Sequence, residues 1–221
     1  MAAVDLRLLP VTVAPARRLT QLLVGLTIYG TSMAMQLRAT LGVAPWDVFH
    51  QGLSRHLPLS FGLVTALTGA VVLLLWLPLR QRPGIGTVAN VVVIAVSVDA
   101  ALALIPVPSS LPARVALLAG GILLNGVASA AYVGARLGPG PRDGLMTGLA
   151  ARTGWSIRLV RTGIELTVLG VGWLLGGTVG IGTVAYALAI GPLTQAFLPW
   201  LTVRTPVTHS RASAALPTVL R

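Results

Sequence analysis

The chain has 221 residues, 55% hydrophobic and only 10% charged, and its mean hydropathy of +0.85 exceeds that of soluble domains, so the composition predicts an all-α polytopic membrane protein. Cysteine is absent, which excludes disulfides, thiolate metal sites and cysteine nucleophiles. The formal charge of +11 comes from sixteen arginines and no lysine against five acids, and in so apolar a chain this excess favours cytoplasmic loops over nucleic-acid binding.

Residues 1–16 carry no strong pattern and are predicted to form a cytoplasmic tail. Six apolar runs of about 17 to 19 residues follow, each near the lower limit for crossing about 30 Å of hydrocarbon. The first run exceeds the apolar core of a signal peptide, so it is predicted to be a retained helix. The runs are approximately 19–37, 61–79, 88–105, 115–133, 159–175 and 184–201.

The chain contains an internal duplication with an offset of 96 residues. Residues 41–53, LGVAPWDVFHQGL, recur at 137–149 as LGPGPRDGLMTGL. Extended without a gap, the alignment makes about 25 of 80 positions identical, far above chance. Repeat 1 is predicted to cover residues 17–116 and repeat 2 residues 117–203, with a cytoplasmic tail at 204–221.

The positions of the arginines predict that both termini are cytoplasmic. With the N-terminus inside, twelve arginines fall in cytoplasmic segments, and only Arg38, Arg55 and Arg114 lie outside. Three spans per repeat is an odd number, so the second repeat must be inverted relative to the first. Such repeats recur in secondary transporters, with the site near the midplane. We therefore predict about six transmembrane helices as two inverted three-span repeats, each with a short broken or half-helix segment.

Both copies of the repeated segment begin with a break, followed by a proline at a plausible first helical position and then by an aspartate. Two interpretations are open. A half-helix dipping into the membrane is favoured, because inverted copies would bring two positive helix ends together. Alternatively, Asp47 and Asp143 only stabilise helix starts at the surface. Glycine-rich links between later runs predict tight hairpins. The break and packing positions are Gly42, Pro45, Gly138, Pro141, Gly84, Gly86, Gly180 and Gly182.

Polar side chains inside apolar runs are candidates for a substrate or ion pathway, because an unpaired charge in hydrocarbon is costly. Asp99 falls near the middle of the third run and its repeat mate is Gln195, which predicts a polar midplane position in both halves. The alternative for Asp99 is a hydrogen-bonded packing acid. Tyr29, Gln36 and Asn125 are more simply explained as hydrogen-bonding groups at helix contacts.

The fifth run carries a charged stripe. Arg161 precedes Glu165 by four residues on one helix face, and Arg158 extends the stripe toward the cytoplasmic end. A structural ion pair and a substrate or coupling role both explain this pattern. The complete set of pathway candidates is Asp47, Asp143, Arg142, Arg158, Arg161, Glu165, Asp99, Asn90 and Gln195.

Motifs of a membrane enzyme are incomplete. Asp47, His50 and Ser54 have the helical spacing of a hydrolytic triad, but repeat 2 has Met146 and Ala150 at the last two places. The chain has no Gly-x-Ser-x-Gly elbow, and its histidines lack metal-ligand spacing. We therefore expect no enzymatic activity, no metal and no cofactor.

Several motifs together resemble a bacterial family. The block 137–146, LGPGPRDGLM, with Arg161, Glu165, Pro45-Trp-Asp47 and Asp99, is similar to the YczE/YyaS/YitT group of integral membrane proteins over about residues 20 to 203. The resemblance implies a multi-pass protein of the bacterial inner (plasma) membrane whose biochemical activity is largely undefined. It supplies no substrate.

Two functions are weighed against each other. The leading one is a small secondary transporter or exporter of a small anionic or amphipathic metabolite, with Asp143 or Glu165 as the proton carrier. The alternative is a non-transporting scaffold or accessory protein that acts through a partner. Broken helices and intramembrane acids favour transport. Six short spans form a thin bundle in the lipid bilayer, so a homodimer is one way to enclose a path, and no nucleic-acid partner is expected.

Overall fold

The computed structural model describes Leu6 and residues 8–203; the predicted C-terminal tail, 204–221, and the remaining residues of the N-terminal tail lie outside this part. Within it every regular element is a helix, which confirms the all-α prediction. The helices are α1 (Pro15–Ala39), α2 (Pro45–Ser54), α3 (Phe61–Leu79), α4 (Ile85–Leu104), α5 (Leu111–Gly134), α6 (Pro141–Thr153), α7 (Ile157–Leu174) and α8 (Ile181–Leu201).

Six helices are long and coincide with the six predicted apolar runs. Four of them, α3, α4, α5 and α8, are long and apolar enough to cross a membrane. α1 and α7 have 25 and 18 residues but are more polar, and α7 carries Arg158, Arg161 and Glu165. α2 and α6 have 10 and 13 residues, so at 1.5 Å per residue they are about 15 and 20 Å long and too short to span.

The outward faces of the long helices are apolar. Leu77, Leu188 and Trp200 are among the large side chains that expose more than two thirds of their surface. A soluble protein rarely exposes apolar area on this scale, whereas a bilayer solvates it. The exposed surface therefore agrees with a location in a membrane.

The duplication is present in the fold as four helices per copy. α1, α2, α3 and α4 each begin 96 residues before α5, α6, α7 and α8, respectively. Local signals explain the matching starts of α3 and α7, because the hydroxyls of Ser60 and Ser156 accept hydrogen bonds from the third backbone N–H of each helix. The predicted boundary between residues 116 and 117 falls within α5, and the loop 105–110 separates the two helical sets.

α1 and α5 form the centre of the bundle, and their contacts are reciprocal. A Cβ on Gly25 of α1 would lie 3.1 Å from the Cβ of Ala131 in α5. A Cβ on Gly121, the mate of Gly25, would lie 3.2 Å from the Cβ of Met35, the mate of Ala131. Two subunits related by a two-fold axis exchange contacts in this way, so the copies have approximate two-fold symmetry.

The loops before the short helices follow the same symmetry. The amide N–H of Gly86 donates to the Leu137 carbonyl at 3.0 Å, and that of Gly182 donates to the Leu41 carbonyl at 2.8 Å. Each break therefore packs on the first turn of a long helix from the other copy. At the break Gly42 has a φ of 105°, in the region that favours glycine.

The copies differ in how their last two long helices pack. In copy 1 a Cβ on Gly62 of α3 would lie 2.1 Å from the Ala95 carbonyl of α4, so these backbones touch. α7 and α8 make almost no close backbone contact. Arg158 and Glu165 in α7 replace Gly62 and Gly69 of α3, and charged side chains prevent the close approach that small residues permit. A gap therefore opens between α7 and α8.

Candidate functional site

A cavity of about 750 Å³ extends from the central turns of the long helices to the loop between α5 and α6. Its walls come from all six long helices, the N-terminal ends of α2 and α6, that loop, and Leu6 and Leu8 of the N-terminal segment. Ile94, Glu165 and Ile190, which line it, all belong to the central turns of their helices. On the α7 and α8 side, the cavity adjoins the gap between these helices.

The two short helices approach the cavity from opposite ends of α3. Near the start of α3, the Oγ1 of Thr65 lies 3.3 Å from the Nδ1 of His50 in α2. Near its end, the Trp76 indole N–H donates to the Pro141 carbonyl at the start of α6, at 3.0 Å. Each short helix then runs to an exposed C-terminal end. The N-terminal end of each short helix therefore lies at the cavity, and its C-terminal end points away from it.

The N-terminal ends of α2 and α6 meet at Arg142. An Nη of its guanidinium lies 3.9 Å from the Oδ1 of Asp47, and its Cζ lies 4.8 Å from the ring centroid of Trp46. Trp46 and Arg142 occupy equivalent positions in the two copies. A residue touches its own mate only close to a two-fold axis, so the cavity lies on the approximate symmetry axis.

Asp47 is buried beside His50. The Nδ1 of His50 lies 3.4 Å from the Oδ1 of Asp47. Ser54, the third residue of the triad pattern, donates its hydroxyl to the His50 carbonyl at 2.8 Å and does not face the imidazole.

Asp143 occupies the same position in copy 2 but has a different environment. It is exposed and lines the cavity, whereas Asp47 is only 3% exposed. The Tyr132 hydroxyl donates to its Oδ2 at 2.7 Å. The two repeated acids therefore differ in environment: the carboxylate of Asp47 is buried, and that of Asp143 is accessible from the cavity.

Arg161 and Glu165 form the opposite wall. The Arg161 Nε donates to the Oε1 of Glu165 at 2.9 Å, and both side chains line the cavity. Gln195 of α8 lines it as well. Arg158 is exposed and is not part of this lining. The cavity lining thus contains three arginines, two carboxylates and several neutral polar groups; the third arginine is Arg136, from the loop after α5.

A hydrogen-bonded chain supports the polar wall. The Tyr186 hydroxyl donates to the Asn125 Oδ1 at 3.0 Å, and the Asn125 Nδ2 donates to the Ser32 Oγ at 2.8 Å. These hydrogen bonds link α8, α5 and α1, so they fix the orientation of the Tyr186 side chain in the cavity. Asn90, the repeat mate of Tyr186, lines the cavity from α4.

Asp99 does not belong to this cavity lining. Its carboxylate accepts hydrogen bonds from the Gly62 amide at 2.7 Å and from the Ser60 hydroxyl at 2.5 Å. Both donors lie at the start of α3, where a negative charge stabilises the helix. The structure therefore favours the packing acid over the midplane pathway for Asp99.

Two buried polar atoms at the cavity have no hydrogen-bond partner within the described part of the chain. They are the Nε1 of Trp46 and the Nε2 of His50, whose side chains are at least nine-tenths buried. Both residues line the cavity. Buried groups of this kind normally bind ordered water or a ligand. They add hydrogen-bonding capacity to the charged groups already described.

The sequence analysis did not select Trp46, Tyr132 or Tyr186. The repeat alignment contained a signal for all three, because their mates are Arg142, Gln36 and Asn90, respectively. Equivalent positions that are polar or aromatic in both copies are good candidates for a site on a symmetry axis.

Comparisons with known proteins give the family without an activity. Residues 16–199 match a family described as "Family of unknown function (DUF6198)". An uncharacterized protein of Haemophilus influenzae is 38% identical over 185 residues, which are 84% of this chain and 85% of that protein. The "Uncharacterized membrane protein YczE" of Bacillus subtilis is 36% identical over 172 residues, or 77% and 80% of the two chains, and confirms the resemblance drawn from the motifs. No solved structure matches the chain.

Proposed function

The chain belongs to the DUF6198 family, and we propose that this membrane protein is a secondary transporter or exporter of a small anionic or amphipathic metabolite. The observation that carries the proposal is the central cavity, where the N-terminal ends of α2 and α6 converge on Arg142. Helix N-terminal ends carry partial positive charge and free N–H groups, so they attract anions. Arg136 and Arg161, which also line the cavity, add further positive charge.

The proposal includes six spans arranged as two inverted repeats in the bacterial plasma membrane. α1, at about 37 Å, is long enough to cross 30 Å of hydrocarbon, and the polar side chains of α7 that line the cavity are turned away from lipid. Reciprocal contacts between the copies, and short helices that enter from opposite ends of α3, support this arrangement. Both termini are then cytoplasmic, by the distribution of arginines.

Cysteine labelling tests this topology in a chain without native cysteine. We expect cysteines at Ser109 and Thr178 to react with an impermeant maleimide in intact cells, because both lie in predicted outer loops. A cysteine at Gln81 should react only after permeabilisation; so should one at Ser210, which lies outside the described residues. Labelling of Gln81→Cys from outside, with Ser109→Cys protected, would reverse the orientation.

The cavity can be blocked without disturbing the packing. A Cβ on Gly191 of α8 meets no atom within 4 Å, and Gly191 lines the cavity. Gly191→Phe should therefore fold normally and reduce transport about tenfold or more, because the ring occupies the path. The measurement is uptake of labelled benzoate, octanoate and octyl phosphate into proteoliposomes that contain the purified protein.

Gly170→Phe is the matched control for the blocking experiment. A Cβ on Gly170 also meets no atom within 4 Å, but this residue of α7 does not line the cavity. Its transport should equal that of the unmodified protein. Protein-independent uptake of all three anions, or equal uptake by the two variants, would contradict transport through this cavity and favour the scaffold role.

A further inference from the structure

A second cavity, of about 630 Å³, lies between α3 and α7. Its lining is almost wholly apolar and includes Leu67, Val71 and Leu75 of α3, each about half exposed. α3 and α7 are not in close contact with each other, while α2 and α6 pack against both of them. The second cavity, here called the apolar groove, therefore faces the surroundings of the bundle, which in a membrane are lipid chains.

The apolar groove adjoins the first cavity, which is called the polar cavity from here on. Trp46, Thr68 and Val72 line both spaces. The Arg142 guanidinium stacks on Trp46 at 4.8 Å and lines the polar cavity alone. A positive charge therefore stands at the junction of a polar and an apolar space.

α7 shows the same division around its circumference. Arg161 and Glu165 line the polar cavity, and Val160, Gly163 and Ile164 line the apolar groove. A ligand that occupies both spaces must therefore be charged at one end and apolar along the rest. The unpartnered Trp46 indole N–H, beside the junction, offers a hydrogen-bond donor to the charged end.

We infer that the transported molecule is an anion with one unbranched hydrocarbon chain. Its charged group binds between Arg142 and Arg161, and its chain lies in the apolar groove, which it enters from the lipid. This assignment rests on the proposed transport function and specifies its substrate class. A groove of this volume matches one drug-sized ligand, which suits one alkyl chain and is small for a phospholipid with two.

Neither a short anion nor an uncharged hydrocarbon chain is expected to be the preferred ligand. A short anion leaves the groove without its apolar contact, which contributes about 0.8 kcal/mol for each buried CH₂ group. A neutral alcohol with the same chain forms no ion pair with either guanidinium group. Both halves are therefore needed for tight binding.

Binding to the protein in phosphatidylcholine nanodiscs tests the assignment. The probe is tritiated laurate, and the competitors are unlabelled laurate, butyrate and dodecanol. Unlabelled laurate should displace the probe at a concentration about tenfold or more lower than butyrate or dodecanol does, because butyrate lacks the long chain and dodecanol lacks the charge. Arg161→Gln should weaken binding of laurate and of butyrate. Arg158→Gln, on the same helix but outside the cavity, should change neither.

A substitution in the apolar groove distinguishes the contribution of the hydrocarbon chain to binding from that of the charged group. A Cβ on Gly163 meets no atom within 4 Å, so the side chain of Gly163→Phe starts in open space and extends into the groove. It should weaken laurate binding about tenfold or more and leave butyrate binding unchanged. Gly170→Phe, which is equally unhindered but lies outside the groove, should bind laurate like the unmodified protein.

The outcomes distinguish this inference from the proposed function. Equal competition by butyrate and laurate, with Gly163→Phe unaffected, would overturn the assigned chain site, although uptake of short anions would still support transport. Dodecanol binding as tightly as laurate would overturn the anion site. Laurate that binds as described but never crosses the membrane would contradict transport and support the binding site. Absence of laurate binding would overturn the inference itself.

Discussion

Arg142→Gln is expected to destabilise the fold and to abolish tight anion binding. Asp47 is 3% exposed, and Arg142 is the cation 3.9 Å from its Oδ1. Removal of one partner from a buried pair leaves an uncompensated charge and costs about 3–5 kcal/mol. The Arg142 side chain is about one quarter exposed, which reduces the expected cost to about 2 kcal/mol. Thermal unfolding in nanodiscs measures this loss.

The double variant Asp47→Asn/Arg142→Gln separates stability from function. It contains neither charge, so its unfolding temperature should return toward that of the unmodified protein. Anion binding should stay about tenfold to a hundredfold weaker, since a hydrogen bond to a charged group contributes about 1.5–3 kcal/mol. A double variant as unstable as Arg142→Gln would show that the pair is not coupled. Recovery of full anion binding would remove Arg142 from the site.

Local signals explain what could be predicted from the sequence. Long apolar runs gave the positions of six helices, because the length of an apolar segment is set by the thickness of hydrocarbon. Pro45 and Pro141 predicted the starts of two short helices, since proline is tolerated at the first helical position. The duplication was visible because both copies keep the glycines and prolines that their backbone breaks need.

Tertiary packing explains what could not be predicted. Asp99 lies in α4 as expected, but in the last third of the helix rather than at its middle, and its partners, Ser60 and Gly62, are set by how α3 packs against that helix. The contact between Trp46 and Arg142 requires the position of the symmetry axis, which repeat alignment alone does not give. Sequence spacing describes one helix face at a time, so it reveals partners within a helix better than partners between helices.

The difference between the two copies is the main clue to function. Copy 1 has Gly62, Thr65 and Gly69 along the face of α3, and α3 closes against α4. Copy 2 has Arg158, Arg161 and Glu165 at the equivalent places, and α7 stays apart from α8. The last two long helices of copy 1 are therefore closely packed, while those of copy 2 are separated by a gap and carry charged side chains. A duplicated scaffold that alternates between two packings is a common basis of transport.

Neutral replacements of the two carboxylates in the cavity should uncouple transport from protons. Glu165 is held by Arg161 at 2.9 Å, and an anion that binds Arg161 competes for the same guanidinium. The anion and Glu165 therefore share one cation, and a glutamine at this position removes the only group of the pair that can carry a proton. We therefore expect Glu165→Gln to bind laurate but to lose uptake driven by an imposed pH gradient in proteoliposomes.

Asp143→Asn should have the same effect for a related reason. Its Oδ2 accepts the Tyr132 hydroxyl at 2.7 Å, and the asparagine oxygen can accept the same bond, so folding should persist while the titratable group is lost. Asp99→Asn is the matched control, because Asp99 caps α3 outside the cavity. It should lose about 1 kcal/mol of stability and keep proton-driven uptake. Full proton-dependent uptake by both Glu165→Gln and Asp143→Asn would make these acids structural. Full uptake by the unmodified protein in the absence of a proton gradient would show that another ion drives transport.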